Sequence, residues 1–251
     1  MRVALAQIAP KLSRDNESLH VKMVKEQEDY CDLLIFPELS LNGYLLKDAV
    51  FEDAYTMEEL QNLPFIGAQC DVIFGCVLRE GHKVFNALVH ASRYGISNIY
   101  HKSTLPNYGL FQEARFFFAG DGLHAFETRF GRMVTVICED LFNATMVADI
   151  AKASPDIVVV IANSPARGFG EKLEIEHTWN TLLCATALYS GAYVLFVNRV
   201  GFEDGLGFWG GSRIIDPSGN IHAKAPLFEE SVLSKTLDKT LSRAQKYLLR
   251  H

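Results

Sequence analysis

Three short segments place a reactive side chain where an apolar stretch ends, at Glu38, Lys102 and Cys138. Because α/β proteins gather ligands at the ends of strands, the three side chains could meet in one site. There the lysine ammonium would lower the pKa of the thiol, and the glutamate would take the thiol proton as a general base. A helix beginning just after Cys138 would add positive potential near the sulfur. Together these residue types predict nucleophilic catalysis by a cysteine.

Each of these residues also has a structural interpretation. A cysteine at a strand end is more often a small buried hydrophobe than a nucleophile, and a glutamate or lysine there is commonly a solvated charge. The structural interpretation holds for the other four cysteines, Cys31, Cys70, Cys76 and Cys184. Five cysteines without a CxxC pair argue against a disulfide framework and a zinc site, and no HExxH spacing occurs. We expect a reducing compartment, no metal and no organic cofactor.

The candidate residues need strands and helices to position them. Apolar runs predict an N-terminal strand and strands at Asp32–Phe36, Asp71–Leu78, Val84–Ser92, Ile96–Lys102, Met133–Cys138, Asp156–Ala162, Tyr193–Val197, Ser212–Ile215 and Ser231–Leu237. Helical spacing of apolar residues predicts helices at Ser13–Tyr30, Leu141–Ala153 and Leu173–Tyr189, and the basic tail Lys239–His251 is compatible with another. Hairpins occur among strand–helix units, which predicts an α/β fold built around mixed sheets.

Composition excludes several classes of protein. The chain has 251 residues, of which 49 % are hydrophobic, and this apolar content excludes disorder of the whole chain. The formal net charge of −6 gives no basic footprint for nucleic acid. The apolar run at the N-terminus is too short for a signal peptide, and the run Ile157–Ala162 is far short of a membrane span. We expect a soluble cytoplasmic protein forming one domain over residues 1–251.

The segments around the three candidates resemble a known family. FPELSLNGY, HKSTLPNYGLFQEARFF and VTVICEDLF resemble the three catalytic segments of the nitrilase, or carbon–nitrogen hydrolase, superfamily. The similarity is greatest to the glutaminase domain of glutamine-dependent NAD synthetases. It continues in order through NSPARG, FVNRVG, GGSRIIDPSG and APLFEE, and therefore covers nearly the whole chain.

The resemblance implies a fold and a set of roles. The fold would be an α-β-β-α sandwich in which two mixed sheets pack face to face with helices outside. Glu38 would be the general base, Lys102 the catalytic lysine and Cys138 the nucleophile, which would form a thioester with an amide and release ammonia. Glu113, in FQEARFF, would position the lysine and the substrate. The family also implies a homodimer or larger homo-oligomer, with the tail at residues 239–251 taking part in its contacts.

The resemblance further implies a set of substrate-binding residues, which are Tyr108, Glu139, Phe142, Ser164 and Arg167. A small amide such as glutamine carries an ammonium, which Glu139 could pair with, and a carboxylate, which Arg167 could bind through two hydrogen bonds. The alternative is that Glu139 and Arg167 are ordinary loop charges.

Two departures from the glutaminase pattern bear on function. The sequence contains no SGG-x-DS phosphate loop, so we expect that it does not make NAD by itself. Asn42 and the segment Leu45–Lys47 also differ from the family, close to Glu38. Three functions remain open: an amidase that acts on a small carboxamide, an N-carbamoyl amine or amino-acid hydrolase, and a glutaminase-like subunit of a separate ammonia-using synthetase with little activity alone.

Overall fold

The computed structural model describes residues 1–44, 47–167 and 173–249, which form two six-stranded sheets, a two-stranded ribbon and six α-helices. The strands are β1 Arg2–Gln7, β2 Leu33–Ile35, β3 Asp71–Glu80, β4 Lys83–Ser92, β5 Gly95–His101, β6 Ala125–Thr128, β7 Gly131–Ile137, β8 Ile157–Ala162, β9 Tyr193–Asn198, β10 Val200–Glu203, β11 Leu206–Trp209, β12 Arg213–Ile215, β13 Ile221–Lys224 and β14 Ser231–Thr236. The α-helices are α1 Asn16–Gln27, α2 Met57–Gln61, α3 Glu113–Phe116, α4 Ala144–Ala153, α5 Glu174–Ser190 and α6 Lys239–Leu249.

Both sheets are mixed and follow the same plan. The first has the order β14-β1-β2-β3-β4-β5, and the second has the order β13-β12-β9-β8-β7-β6. In each sheet three neighbouring strands are parallel, β1 to β3 in one and β7 to β9 in the other. The remaining strands are antiparallel to their neighbours. Parallel strands end at a common edge, so loops from both sheets can meet there.

The apolar core has three layers because each sheet buries both faces. Leu5 and Ile35 of the first sheet pack with Val159 and Leu195 of the second between the sheets. The outer face of the first sheet packs against α1, and that of the second packs against α4 and α5. Each fully buried aliphatic side chain contributes roughly 1.5–3 kcal/mol to folding. The predicted α-β-β-α arrangement of two mixed sheets is therefore confirmed.

The predicted strands and helices are present, with ends that shift by a few residues. The predicted helix at Leu141–Ala153 is shorter than expected, because a five-residue 3₁₀ helix at Cys138–Phe142 precedes α4. The side chain of Asn143 separates the two by accepting a hydrogen bond from the backbone N–H of Thr145. The tail forms α6 up to Leu249, and residues 250 and 251 lie outside the described part of the chain.

Four strands lack a clear sequence signal, namely β6, β10, β11 and β13. Each has four residues and at most two of them are buried, so an apolar pattern cannot develop over their length. Over the described ranges 1–44, 47–167 and 173–249, no helix has the length and apolar character needed to cross a membrane.

Candidate active site

Glu38 lies in the loop that follows β2 and is completely buried. Its Oε1 accepts a hydrogen bond of 2.8 Å from the Asn86 side chain, and its Oε2 accepts one of 2.7 Å from the backbone N–H of Asn163. The next residue, Leu39, has a φ of 47°. This loop approaches β3 so closely that a Cβ on Gly75 would lie 2.2 Å from the backbone nitrogen of Leu39. The carboxylate is thus held in one orientation.

Lys102 comes directly after β5 and is also buried. Its Nζ lies 2.8 Å from Oε1 of Glu38 and 2.8 Å from each carboxylate oxygen of Glu113. Burial opposes the charge on this ammonium, but the carboxylates of Glu113 and Glu38 more than offset that effect and raise the pKa of Lys102. A lysine between two carboxylates therefore stays protonated at neutral pH.

Glu113 begins the short helix α3 and is almost fully buried. The hydroxyl of Tyr44 donates a hydrogen bond of 2.8 Å to its Oε1. Burial raises the pKa of Glu113 to about 7, with a further contribution from Glu38, while the Lys102 ammonium and the Tyr44 hydroxyl act in the opposite direction. Glu113 can therefore change its charge near neutral pH.

Cys138 stands between β7 and the 3₁₀ helix, with a φ of 46°. This left-handed conformation is uncommon for a residue with a side chain and is typical of functional positions. Burial and the Glu38 carboxylate raise the pKa of the Cys138 thiol, and the Lys102 ammonium only partly counters them. Lys102 thus acts in the expected direction, but burial and the carboxylates outweigh it and leave the thiol pKa above its ordinary value. The thiol is therefore neutral at neutral pH, and it would need a base to take its proton in order to act as a nucleophile.

Asp140 connects the cysteine to the lysine, a role that the sequence analysis missed. Its buried carboxylate accepts hydrogen bonds from the backbone N–H groups of Ile137, Ser103 and Thr104. The hydroxyls of Ser103 and Tyr100 donate to it as well. One carboxylate therefore fixes the residue before Cys138 and the residue after Lys102. Only its position two residues after the candidate cysteine could have indicated this role.

Three of the predicted substrate-binding residues lie together near the surface. The Tyr108 hydroxyl donates a hydrogen bond of 2.8 Å to Oε1 of Glu139. The Arg167 guanidinium lies near Tyr108 and 5.6 Å from the centre of the Phe111 ring. Phe111 was not predicted. The cluster presents one anionic and one cationic side chain, which matches the two charges of an amino acid.

The other two predicted substrate-binding residues, Ser164 and Phe142, both contact Trp179. The Oγ of Ser164 accepts hydrogen bonds from the indole N–H groups of Trp179 at 2.8 Å and Trp209 at 3.2 Å. Phe142 packs edge-on against Trp179, with 5.1 Å between ring centroids. A hydroxyl that accepts two hydrogen bonds keeps its own proton for donation. Gly168, which ends the NSPARG segment, and the family departures Leu45 and Leu46 lie outside the described residues.

Asn86 and Asn163 are further residues that the sequence analysis missed. Both are buried, and both hold the Glu38 carboxylate through the hydrogen bonds given above. Asn163 precedes Ser164 in the NSP segment, so the loop after β8 reaches the base as well as the tryptophans. Asn86 lies within β4, where nothing in the sequence distinguishes it from a core position.

Comparison with known proteins agrees with this geometry. The model of the carbon–nitrogen hydrolase family matches residues 2–247. The chain therefore belongs to the carbon–nitrogen hydrolase family, whose members act on carbon–nitrogen bonds. The family resemblance and the enzyme class predicted from the sequence, a hydrolase of carbon–nitrogen bonds other than peptide bonds, are both confirmed.

Individual relatives fall into two groups. The chain is 29 % identical to the glutamine-dependent NAD(+) synthetase of Acinetobacter baylyi over 98 % of its own length but 46 % of that protein. It is 25 % identical to a probable nitrilase of Schizosaccharomyces pombe, covering 94 % of this chain and 88 % of that protein. A Xanthomonas campestris structure described as a CN-hydrolase superfamily protein shares the fold, with a TM-score of 0.86, 23 % identity and coverage of 100 % and 95 %.

Proposed function

We propose that this protein is an amidase that cleaves a small, non-peptide carboxamide through a thioester on Cys138 and releases ammonia. The observation that carries this proposal is the buried Lys102 ammonium, held 2.8 Å from both the Glu38 and Glu113 carboxylates beside a cysteine of left-handed conformation. A cavity of about 220 Å³ adjoins Tyr44 and Glu113, but Cys138, Glu38 and Lys102 do not line it, so it lies beside the proposed reaction centre.

In the first step, the sulfur of Cys138 attacks the carbonyl carbon of the amide while Glu38 takes the thiol proton. The electron pair of the carbonyl moves to its oxygen. The Lys102 ammonium and the backbone N–H of Glu139 stabilise the resulting oxyanion, and one such donor is commonly worth about 3–4 kcal/mol of barrier. The oxyanion then collapses, the carbon–nitrogen bond breaks, and Glu38 gives its proton to the leaving nitrogen. Ammonia departs and a thioester remains on Cys138.

In the second step, Glu38 takes a proton from water as the water oxygen attacks the thioester carbon. The second oxyanion is stabilised by the same donors. Its collapse breaks the carbon–sulfur bond, and the proton on Glu38 returns to the sulfur of Cys138. The products are a carboxylic acid and the free thiol. These two steps use side chains of this chain, one backbone N–H group and water.

Glutamine is the substrate that we favour. The Glu139 carboxylate and the Arg167 guanidinium provide partners for its ammonium and its carboxylate, and both side chains contact Tyr108. Relatives named as glutamine-dependent NAD synthetases support the same choice. N-carbamoyl compounds fit the same chemistry, but they would release carbon dioxide together with ammonia.

The test is ammonia release from glutamine, asparagine, short aliphatic amides and N-carbamoyl compounds. The Cys138→Ala variant is the blank. Cys184→Ala, a change in α5 away from the site, is the matched control and should retain full activity. Turnover of glutamine that depends on Cys138 would support the proposal as stated. Release of carbon dioxide from an N-carbamoyl compound would instead indicate an N-carbamoyl amine or amino-acid hydrolase. Equal rates for the wild-type protein and Cys138→Ala would contradict the thioester mechanism.

A second candidate function is that of a glutaminase-like subunit acting with a separate synthetase. It is favoured by the similarity to proteins named as glutamine-dependent NAD(+) synthetases, and the chain spans less than half the length of those relatives. Glutamine hydrolysis should then be slow alone and should rise when an ammonia-dependent NAD synthetase and its substrates are added. If the rate of glutamine hydrolysis does not change when the synthetase is added, the result would contradict the subunit role and favour an amidase that acts alone.

We also propose that the protein forms a homodimer or larger assembly through α6. This helix carries apolar side chains on the surface, with Leu241 exposed by 45 % and Leu248 by 66 %. Sedimentation of the wild-type protein should give a species larger than a monomer, and Leu248→Glu should weaken it. Tyr94→Glu, at an exposed turn distant in sequence, is the control. A monomer at all concentrations would contradict the proposal.

A further inference from the structure

The ribbon formed by β10 and β11 carries a buried ion pair outside the catalytic cluster. Arg199 is fully buried, and its Nη1 lies 2.7 Å from Oε2 of Glu203. Its Nη2 donates a hydrogen bond of 2.9 Å to the carbonyl of Pro10, and its guanidinium lies 4.2 Å from the centre of the Phe208 ring. These contacts attach the ribbon to the loop after β1.

The same ion pair holds the loop that follows Glu38. The backbone N–H of Tyr44 donates to Oε1 of Glu203 at 3.0 Å. Gly43, just before it, has a φ of 84°, and a Cβ there would lie 2.6 Å from the carbonyl oxygen of Lys11. The ring of Tyr44 packs edge-on against Phe208, with 6.2 Å between centroids. The ribbon therefore fixes both the backbone and the ring of Tyr44.

Tyr44 in turn contacts the catalytic cluster. Its hydroxyl donates to Oε1 of Glu113, whose carboxylate lies 2.8 Å from Nζ of Lys102. We propose that Arg199 and Glu203 are positioning residues: by fixing Tyr44, they hold Glu113 against Lys102. This inference rests on the proposed function, because it assigns the pair a role in the activity of that site.

Truncating Glu203 should disturb the site more than the loss of a surface charge would. It removes the acceptor of the Tyr44 N–H and leaves the buried Arg199 guanidinium without its carboxylate, which is a costly state. Asp204, the next residue, provides a matched control. It pairs with Lys47 at 2.9 Å, but both side chains are more than half exposed, at 57 % and 66 %. Exposed pairs of this kind contribute little to stability.

The experiment measures the rate of Cys138 alkylation by iodoacetamide against pH, with the alkylated residue identified by mass spectrometry. The groups that face the thiol include the charged side chains of Glu38, Lys102, Glu113 and Glu139, and the hydroxyl of Tyr44 also lies near it. Since the Glu113 charge raises the pKa of the thiol, moving Glu113 away from the thiol should shift the alkylation midpoint to lower pH. Glu203→Ala and Tyr44→Phe should both give this shift. Glu203→Gln keeps one acceptor oxygen for the Tyr44 N–H but not the carboxylate that faces Arg199, so it should shift the midpoint less than Glu203→Ala does. Asp204→Asn should match the wild-type protein.

The double variant Glu203→Ala with Tyr44→Phe distinguishes positioning from a general structural role. Residues that act through one another are not additive, so the double variant should shift the midpoint no further than the larger single shift. Additive shifts, or an unchanged midpoint in Glu203→Ala, would overturn the inference. If Glu203→Ala does not fold, Arg199→Lys takes its place, with the same direction of shift expected and an unchanged midpoint counting against the inference.

Alkylation needs no substrate, so the positioning role can be judged even if no amide is turned over. Expected shifts together with an inactive wild-type protein would contradict the proposed function and leave the positioning role standing. Where turnover is present, kcat of Glu203→Ala should fall at least about tenfold, with a smaller change in KM. Turnover that depends on Cys138 with unshifted alkylation would overturn the positioning role alone.

Discussion

The ammonium of Lys102 lies 2.8 Å from Oε1 of Glu38, so the proposed base and the proposed oxyanion donor are already paired in the folded protein. Burial and the Glu38 carboxylate raise the pKa of the Cys138 thiol, and the paired Lys102 ammonium only partly counters them. Lys102 has a second carboxylate, Glu113, to neutralise, and its charge is therefore shared. The proton of Cys138 must be transferred as the substrate reacts, when the developing oxyanion draws on the same ammonium.

Replacing Lys102 with alanine should raise the activation barrier by several kcal/mol, because oxyanion stabilisation disappears. This corresponds to a fall in kcat on the order of a hundredfold or more. It also leaves Glu38 and Glu113 as facing buried carboxylates without a cation, so the melting temperature should fall. Steady-state kinetics and thermal unfolding measure the two effects. Lys152→Ala, at a position that is 76 % exposed on its side chain, is the control. A loss of less than tenfold in kcat would mean that Lys102 is not catalytic.

The activity should depend on the charge of Glu113 near neutral pH. Burial raises the pKa of Glu113 to about 7, with Lys102, Glu38 and Tyr44 as the groups that face it. As the pH falls through this value, Glu113 gains a proton and ceases to balance the Lys102 ammonium, so kcat/KM should decline on the acid side. Because the carboxylates interact, the limb reports the cluster rather than one group.

The matched variant for this pH dependence is Glu113→Gln, which imitates the protonated form. It should have low activity at every pH and no limb near neutral pH. Tyr44→Phe removes a donor that lowers the pKa of Glu113, and it should therefore move the limb to higher pH. A limb that persists unchanged in Glu113→Gln would assign the titration to another group.

Arg167 should determine affinity for an amino-acid amide. Arg167 is exposed, and its guanidinium lies near Tyr108. Arg167→Lys keeps the charge but loses the bidentate geometry that suits a carboxylate. We expect KM for glutamine to rise about tenfold with a smaller change in kcat, and KM for a short aliphatic amide to stay constant. Equal effects on both substrates would show that Arg167 does not bind the carboxylate.

The sequence predicts the catalytic cluster better than the groups that position it. Glu38 follows β2 and Cys138 begins where β7 ends, and both strands belong to the parallel parts of two packed sheets. Lys102 follows β5, an apolar strand that is antiparallel to β4. Asp140, in contrast, acts through backbone N–H groups of two separate segments. Asn86 lies in the middle of a strand, where its side chain reaches Glu38 across the sheet. Such contacts depend on how the sheets pack, and no local pattern of residue types records them.

The direction in which the pKa of the Cys138 thiol shifts could not be predicted from the sequence either. The proximity of Lys102 and Cys138 was predicted, and by itself it would lower the thiol pKa. The structure adds burial and two carboxylates near the same ammonium, and these dominate. The sequence also carries no signal for the ribbon of β10 and β11. Its buried ion pair contacts Tyr44 only through the packing of the folded chain.

His20 should make the protein sensitive to acid. The ring is buried beside the loop of Glu38, stacked on Phe36 with centroids 4.1 Å apart. Its Nδ1 donates to the carbonyl of Asn16, and its Nε2 accepts from the Ser40 hydroxyl, so the neutral form is fully bonded. Burial lowers the pKa of His20 to about 4. Because the unfolded chain binds a proton at its ordinary value of 6.5, this histidine favours the folded state above that pH.

Stability should therefore fall as the pH drops from about 6.5 towards 4, with His20 contributing on the order of 3 kcal/mol over that range. Urea unfolding at several pH values measures this slope. His20→Gln removes the titration, so its free energy of unfolding should be lower at neutral pH and flatter between these limits. His222→Gln, at an exposed position of β13, is the control and should keep the wild-type slope. A wild-type slope in His20→Gln would place the acid sensitivity in other groups.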